Sequence, residues 1–335
     1  MIISRTPYRI SFFGGGTDYP AWYREHGGAV LATTIDKYCY LTVRYLPPFF
    51  DHRFRVVYSK NELCKTVAEI EHPAVRGVLQ HMGFTDARGL EIHHDGDLPA
   101  RSGIASSSSF IVGLLNALYA LRGQMRSKHE LALESIHVEQ ERLKENVGAQ
   151  DQTLAAHGGF NTIHFLRNGE ISVRPLILAR ERVEEFGSCL MLFFTGISRI
   201  SSEIVASYLL AIKSNEKQLA SYGPMMEEAI AILARNRPLE EFGRLLNEAW
   251  QIKRGLGNQV SNPEIDQLYG EARAAGALGG KIIGAGGGGF LLLFVMPQDQ
   301  AAVRERLRNA LEVPFKFESN GSQIIFYERP DGDGA

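Results

Sequence analysis

A glycine turn followed by four serines leads directly into an apolar helical pattern near the end of the first third of the chain. Residues 99–109 read PARSGIASSSS, and the helical pattern continues to Leu121. The first amides of a helix have no internal partner and lie at the positive end of its dipole, so they can bind a phosphate. No Gly-Lys-Ser/Thr follows, which excludes the Walker pattern. The alternative is a serine-capped helix after a linker.

A second glycine-rich segment lies near the carboxy-terminal end. Residues 284–289 contain five glycines in six positions and run into the apolar segment 290–295. A tight turn needs only one or two glycines, so this run predicts a ligand or a neighbouring loop pressed against the backbone. A mobile hairpin is the alternative.

One cation and one carboxylate lie in the first segment, which reads TPYRISFFGGGTDY. Arg9 precedes a glycine turn and Asp18 follows it. An arginine donates in a fixed fork and a carboxylate accepts from neighbouring hydroxyls, so the pair could orient a sugar. By itself, Asp18 is also typical of a turn.

Two further carboxylates lie twelve residues apart around a glycine turn. Glu139 falls in a predicted helix over 127–144, and Asp151 follows in GAQDQ. Two carboxylates that face a phosphate need a cation between them, which predicts Mg²⁺ held by oxygen ligands. The alternative places Glu139 on a solvated helix face with Glu141 and Glu145.

Composition excludes several classes of function. The chain has 335 residues, of which 44% are hydrophobic and 22% charged, with a net charge of −2. This balance is typical of a globular protein and predicts neither nucleic-acid nor membrane binding. Cys39, Cys64 and Cys189 are widely spaced, which predicts buried thiols in a reducing compartment. With no apolar run of membrane-spanning length and no leader signature, we expect a cytoplasmic protein.

The periodicities predict an α+β fold with a domain boundary near residue 185. The predicted amino-terminal strands are 2–13, 29–45, 54–58, 90–94, 160–165 and 171–175, with helices over 106–122 and 127–144. After the boundary we predict strands over 189–195 and 290–295 and helices over 201–218, 224–236, 239–256 and 265–275. A helix over 299–311 and a strand over 322–328 would complete a β–α–β ending, and the tail after Pro330 is predicted to be disordered.

Taken in order, three of these segments resemble the motifs of the GHMP kinases, a family that includes galactokinase, homoserine kinase, mevalonate kinase and phosphomevalonate kinase. The matching stretches are 7–18, 99–109 and 284–289, in the family's order and spacing. The opening RTPYRISFFGGGTDYP, together with LPARSG, GAQDQTLAAHGG, FFTGISR and KIIGAGGGGF, resembles the branch that phosphorylates the anomeric hydroxyl of D-glycero-D-manno-heptose 7-phosphate. That reaction yields the 1,7-bisphosphate for nucleotide-activated heptose and for lipopolysaccharide or capsule.

The resemblance implies roles for individual positions. Asp151 matches the catalytic aspartate and Arg9 the basic residue beside it, while Ser107 and Glu139 match the Mg²⁺ ligands. The residues implied to bind ATP are Pro99, Arg101, Ser102, Gly103, Ile104, Ala105, Ser106, Ser107 and Ser108. Those implied to bind substrate are Gly16, Thr17, Asp18, Gly286 and Gly287, and the substrate's own phosphate would meet Arg199 or, as weaker choices, Lys253 or Arg101.

Two features of the sequence depart from the family pattern. Ala105 stands where the family usually has glycine, so either the loop is shifted or the residue has a φ below zero. Gly15 and Gly16 replace the Glu-His of galactokinases, which argues against galactose. The alternatives are another anomeric sugar kinase with a fucose- or galactose-like substrate, or a silent nucleotide- or sugar-binding sensor.

The fold implied by the resemblance has two domains around a cleft. Residues 1–185 would form the ATP-binding domain and 186–330 a ferredoxin-like domain. The implied ligands are ATP, Mg²⁺ and a sugar phosphate, with a homodimer as the oligomeric arrangement considered.

Overall fold

Thirteen strands form two sheets in the computed structural model, which describes residues 1–100, 102–197 and 215–328. The nine-stranded sheet contains β1 (Ile2–Phe13), β2 (Gly28–Tyr45), β3 (Phe54–Val57), β4 (Asn61–Cys64), β5 (Leu90–Gly96), β6 (Phe160–Phe165), β7 (Ile171–Pro175), β12 (Phe317–Glu318) and β13 (Gln323–Tyr327). The four-stranded sheet contains β8 (Leu190–Phe194), β9 (Gly279–Ile282), β10 (Phe290–Phe294) and β11 (Leu311–Glu312).

Helices cover the sheets and connect their strands, as the α+β prediction requires. The α-helices are α1 (Pro20–His26), α2 (Pro73–His81), α3 (Ser106–Leu121), α4 (Lys128–His137), α5 (Gln150–His157), α6 (Arg180–Ser188), α7 (Glu216–Ala220), α8 (Tyr222–Ala234), α9 (Leu239–Arg254), α10 (Pro263–Ala274) and α11 (Gln300–Arg306). None of those in the described ranges is long and apolar enough to cross a membrane.

The long strand β2 is the centre of the large sheet. It pairs antiparallel with β1, β5, β6 and β12 along its 18 residues. The β1–β2 register shifts between Pro7 and Tyr8, where proline has no N–H to give to the ladder. A bulge of this kind bends a strand and redirects the side chains that follow it. The two extra residues, Asp36 and Lys37, belong to β2, and Arg9 on β1 pairs with Thr34 just past them.

The apolar helix α3 packs against β1 and β2. All but three of its 16 residues are buried, which explains why its sequence is hydrophobic on every face. Gly113 allows the close approach, since a Cβ there would lie 2.7 Å from Thr6 Oγ1. The Ser109 hydroxyl donates to the Pro7 carbonyl at 2.9 Å. The beginning of α3 is therefore fixed beside the strand that carries Arg9.

Aromatic rings fill the junction between the two sheets. The Phe242 ring on α9 lies 5.7 Å from Phe12, 4.7 Å from Phe186 and 5.8 Å from Phe294, measured between centroids. Edge-to-face packing of buried rings adds to the free energy gained by burying their area. Because β1, α6, α9 and β10 share this cluster, the two sheets are held in one arrangement.

The chain's last strands join the sheet of the amino-terminal half, so the predicted β–α–β ending is wrong. β13 pairs with β1 and β12 with β2, although both fall within the range 186–330 assigned to the carboxy-terminal domain. Periodicity identifies a strand but not its distant partner, which explains the error. The predicted helix over 299–311 is also shorter, a 3₁₀ turn at Pro297–Asp299 followed by α11.

Other predictions are confirmed or lie outside the described ranges. The three cysteines are free and buried. The strand predicted over 90–94 extends to Gly96. The helix predicted over 201–218 is described only from residue 215 onward, and the tail from residue 329 lies outside the described residues.

The two glycine-rich segments of the sequence press against each other backbone to backbone. A Cβ on Gly289 would lie 1.9 Å from the Ser102 carbonyl oxygen, and one on Gly103 would lie 2.6 Å from that of Ile283. A Cβ on Gly284 would lie 2.3 Å from the Gly103 carbonyl oxygen. All three glycines have φ between 77° and 85°. The neighbouring loop, rather than a mobile hairpin, explains the glycines at 284 and 289.

We expect Gly289→Ala to lower the free energy of unfolding by about 2–4 kcal/mol, because it combines a positive φ with a backbone clash. Urea unfolding monitored by circular dichroism measures the change. The matched control is Gly223→Ala in α8, where a Cβ meets nothing within 4 Å. This control should be neutral or stabilising by up to about 1 kcal/mol. Equal effects of the two substitutions would show that the loops do not need this contact.

Candidate active site

A cleft of about 1020 Å³ brings together residues that are far apart in the sequence. Its wall is formed by strand β1, the serine-rich loop (residues 99–109), the beginning of α5, α9 and the glycine run (residues 284–289). Its lining includes Arg9, Gly16, Asp18, Ser107, Asp151 and Lys253.

Arg9 and Asp151 form a bidentate ion pair in this cleft. Nε and Nη2 of Arg9 donate to Oδ1 and Oδ2 of Asp151, each at 2.8 Å. Nη1 donates to the Gly103 carbonyl oxygen at 3.0 Å. The Arg9 side chain is 4% exposed and that of Asp151 25% exposed. The carboxylate thus has a fixed orientation and still faces the cleft.

The serine-rich loop has the geometry of an anion site. Helix α3 begins at Ser106 without a side-chain cap, so the serine-capped alternative is wrong. Two of its serines bond elsewhere: Ser107 and Ser108 both donate to Glu139, at 3.0 and 2.8 Å. Amides at an uncapped helix start are available to a phosphate oxygen.

The other loop residues implied to bind ATP have different positions. Ile104 is fully buried, and Ser102 donates to the Pro99 carbonyl at 2.6 Å. Both residues therefore stabilise the turn, Ile104 by its burial and Ser102 by its hydrogen bond. Arg101 lies outside the described residues.

Ala105 adopts a left-handed conformation, with φ 67° and ψ 30°. The expectation of a φ below zero is therefore wrong. The contact between the two glycine segments fixes the turn before α3, so the chain must reverse at this residue whatever its side chain. An L-residue in this region costs about 1–2 kcal/mol.

Glu139 is fully buried, so its placement on a solvated helix face with Glu141 and Glu145 is wrong. The predicted helix over 127–144 is confirmed as α4 followed without a gap by a π-helical turn, Val138–Arg142, which contains Glu139. Its carboxylate accepts from Ser107, Ser108 and the Gln152 side-chain amide. Burial outweighs these bonds and raises its pKa to about 7.

The donor set around Glu139 fits a hard cation such as Mg²⁺. It offers the Ser107 hydroxyl at the wall of the cleft and, bonded to it, the buried Glu139 carboxylate, both oxygen ligands. The hydrogen bonds of that carboxylate include no cationic partner. Within the described ranges, no group of three His, Cys, Asp or Glu side chains could hold a metal. A cation here would need ligand phosphate oxygens to complete its shell, as Mg²⁺ commonly does.

Asp18 joins two segments and also lines the cleft. Its Oδ1 accepts from the Gly16 amide at 3.0 Å and its Oδ2 from the Gln150 amide at 3.2 Å. The bond to the Gly16 amide is the one expected if Asp18 is a turn residue. Burial, followed by repulsion from Asp151, raises the pKa of Asp18 to about 6. Thr17 faces inward and donates to the carbonyls of Gly14 and Ala29.

Not every residue implied to bind substrate reaches the cleft. Gly286 and Gly287 lie against Val260, whose carbonyl accepts from the Gly287 amide at 2.7 Å. The part of the run that lines the cleft is Gly284 and Ala285. Lys253 does reach the cleft. Arg199 lies outside the described residues.

Sequence reasoning missed an aromatic wall beside the serine-rich loop. The His72 ring stacks on Phe110 at 4.9 Å with 19° between the planes, and Tyr58 meets His72 edge-on at 4.7 Å. All three line the cleft. Tyr58 lies in the loop after β3, His72 directly precedes α2, and Phe110 lies in α3. No local motif therefore predicts that these three residues meet. Gln152, missed as a partner of Glu139, lies within the GAQDQ segment already selected.

The fold is shared with solved structures of small-molecule kinases. The structure of a D-glycero-D-manno-heptose 1-phosphate kinase from Bacteroides thetaiotaomicron superposes with a TM-score of 0.73 at 25% identity, covering 96% of this chain and 98% of that one. This similarity confirms the two-domain α+β fold.

Family models and curated relatives agree with the fold. The model of the GHMP kinases N-terminal domain matches residues 65–159, and the model described as GHMP kinases C-terminal matches residues 213–313. Together they span more than half of the sequence, and the chain belongs to the GHMP kinase family. A D-glycero-alpha-D-manno-heptose 7-phosphate kinase of Campylobacter jejuni is 27% identical over 92% of this chain and 93% of that protein. A galactokinase of Pyrococcus furiosus is 25% identical over 88% and 89%.

Ala105→Gly should leave the free energy of unfolding unchanged or raise it by up to about 1 kcal/mol, because glycine tolerates the left-handed conformation while gaining freedom in the unfolded chain. Thermal or urea unfolding measures this difference. Ala117→Gly, in the interior of α3, is the matched control and should cost about 1 kcal/mol or more. Similar losses for both variants would contradict strain at Ala105.

Glu139→Gln should stabilise the protein more at pH 8 than at pH 5. The pKa of Glu139 is about 7 in the folded protein against an ordinary value of 4.5, so the folded state holds the extra proton between these values. Stability therefore falls as pH rises through that window, by at most about 3 kcal/mol. Glutamine removes this loss.

Melting temperatures of Glu139→Gln and of the unmodified protein, recorded with a chelator at both pH values, test the prediction. Glu141→Gln is the control, since that carboxylate is 60% exposed and its replacement should have the same effect at both pH values. A pH-independent effect of Glu139→Gln would show that burial does not raise the pKa of Glu139.

Proposed function

We propose that this protein transfers the γ-phosphoryl group of ATP, with Mg²⁺, to the anomeric hydroxyl of D-glycero-D-manno-heptose 7-phosphate. The product would be the 1,7-bisphosphate, used for nucleotide-activated heptose in lipopolysaccharide or capsule synthesis. The named relatives support the substrate class. The observation that carries the chemistry is the Arg9–Asp151 ion pair, which faces the cleft beside the serine-rich loop.

In this proposal Asp151 orients the acceptor hydroxyl and receives its proton. Each carboxylate oxygen bonds to one arginine nitrogen and retains capacity for another donor. Arg9 holds the carboxylate in place and adds positive charge near the transferring group, which is where phosphoryl transfer needs stabilisation. Asp151 also lies in the first turn of α5, whose dipole favours a negative charge.

The nucleotide would lie along the serine-rich loop. The amides from Gly103 to Ser108 would meet its phosphates, with Ser107 and Glu139 as the Mg²⁺ ligands. When bound, the cation would neutralise phosphate charge during transfer. The stacked pair His72 and Phe110 would receive the planar base, since aromatic faces near the phosphate site suit a heterocycle.

The sugar would lie on the other side of Asp151. Gly16 and Asp18 line this part of the cleft, with Thr17 supporting the turn. The phosphate of the substrate would meet Arg199, since a cation suits a dianion. Gly15 and Gly16 stand where galactokinases carry Glu-His, which argues against galactose as the substrate.

Another anomeric sugar kinase of the family is the second candidate, favoured by the similarity to a galactokinase over 88% of the chain. A silent sensor has less support. Such a protein would have no need for the buried arginine fork on Asp151 or for a carboxylate bonded to two loop serines.

Asp151→Asn should lower kcat by about 10²- to 10⁴-fold while ATP affinity stays within a few fold, because the amide cannot accept the hydroxyl proton. Coupled detection of ADP release and a separate nucleotide-binding titration give the two values. The matched control is Glu184→Gln, an exposed carboxylate on α6, which should leave both unchanged. Full turnover in Asp151→Asn would overturn the assigned role.

A sugar panel tests the substrate separately. Heptose 7-phosphate should give the highest kcat/KM, ahead of heptose without the phosphate, fucose and galactose. Turnover of fucose or galactose with none of heptose 7-phosphate would reject the substrate and favour the second candidate.

A further inference from the structure

Lys253 lies at the end of α9, partly buried between the two halves of the site. Its Nζ donates to the Ile282 carbonyl oxygen at 3.0 Å and also to that of Gly284. These carbonyls belong to the segment that supports the serine-rich loop through Gly103 and Gly284. Lys253 also lines the cleft.

Two carbonyl acceptors leave one position on Nζ uncommitted. In an ammonium this position carries the third proton, and in an amine it carries the lone pair. Both forms satisfy the two carbonyls. The local hydrogen bonds therefore do not decide the charge of Lys253, and the surrounding charges do.

The charged groups around Lys253 are mostly cationic. Among the described residues, Arg9 from β1 and Lys281 from β9 repel its positive charge, and Asp151 from α5 attracts it. Both oxygens of Asp151 already bond to Arg9. Lys281 is itself buried and donates to the Phe12 carbonyl at 2.9 Å.

Burial and these neighbours act in the same direction. Desolvation, followed by repulsion from Arg9, lowers the pKa of Lys253 to about 7, and burial lowers the pKa of Lys281 well below its usual range. Among the hydrogen bonds of the described residues, Lys253 and Lys281 bond to backbone carbonyls and to no carboxylate. A phosphorylated ligand would supply the missing negative charge.

We propose that Lys253 is a further ligand-binding cation of this cleft, an amine when the cleft is empty that takes up one proton from solvent when the nucleotide's terminal phosphate enters. The resulting ammonium keeps its two carbonyl bonds and directs its third N–H to the phosphoryl oxygens. This inference rests on the proposed function only in that the ligand is a nucleoside triphosphate. It is independent of which sugar accepts the phosphate.

Proton uptake on binding is measurable without turnover. A dianion within about 4–6 Å raises a lysine pKa by about 1–3 units. A shift from about 7 to about 9 would add about 0.8 proton per site at pH 8. Calorimetric titration with the β,γ-methylene analogue of ATP, in two buffers of different ionisation enthalpy at constant Mg²⁺, gives this number.

Three variants separate Lys253 from other titrating groups. Lys253→Met should remove the 0.8 proton, and Lys253→Arg should bind the analogue with no such uptake, because arginine is charged before and after binding. Lys65→Met, an exposed lysine, is the control and should match the unmodified protein. Equal uptake by the unmodified protein and Lys253→Arg would overturn the proposal.

The pH dependence of affinity is a second test that does not require Lys253→Met to fold. If Lys253 takes up a proton, the Kd of the analogue should rise about 20-fold more between pH 7 and pH 9 in the unmodified protein than in Lys253→Arg. Parallel curves would exclude the proposal. Failure of the analogue to bind any variant would instead reject the proposed nucleotide function and, with it, the ligand assumed for Lys253.

Discussion

The interaction on which the site depends is the fork that Arg9 makes with Asp151 and Gly103. One guanidinium bonds to the first turn of α5 through two nitrogens and to the serine-rich loop through the third. Arg9 lies just past the register shift between β1 and β2 and is almost fully buried, which holds its side chain in one orientation. Three segments that are between 48 and 142 residues apart in the chain thus share one planar group, whose geometry permits little adjustment.

The contact between the two glycine segments places a second constraint on the same loop. Backbone atoms at Ser102, Gly103, Gly284 and Gly289 approach more closely than any Cβ would permit. This approach fixes the turn before α3, and Ala105 is held in a left-handed conformation as a result. A residue that violates local preference is maintained by tertiary contacts, which is common where a chain must present its backbone to a ligand.

Burial shifts the pKa values of four ionisable side chains in or beside the cleft. Burial raises the pKa of Asp18 and of Glu139, and lowers that of Lys253 and of Lys281. Each shift has the same cause, since a charge removed from water is costly without an opposite charge nearby. A cation next to Glu139 and a phosphate next to Lys253 would relieve the cost on both sides. Ordered buried charges of this kind need little reorganisation when the ligand binds.

By itself the sequence determined the α+β class, most of the strands and the three glycine- and serine-containing segments, because turns, helix starts and periodicity are local properties of the chain. The roles predicted for Arg9, Asp18, Glu139, Asp151 and Ser107 came from the resemblance to the GHMP kinases. Tertiary structure alone decided which partners these residues meet. It buried Glu139 by ending α4 in a π turn, turned Gly286 and Gly287 away from the cleft, and paired β13 with β1 at the opposite end of the sequence. It also assembled His72 with Phe110 and placed Lys253 near Arg9, Lys281 and Asp151. Contacts of this kind join residues of large sequence separation, and neither periodicity nor turn chemistry carries information about them.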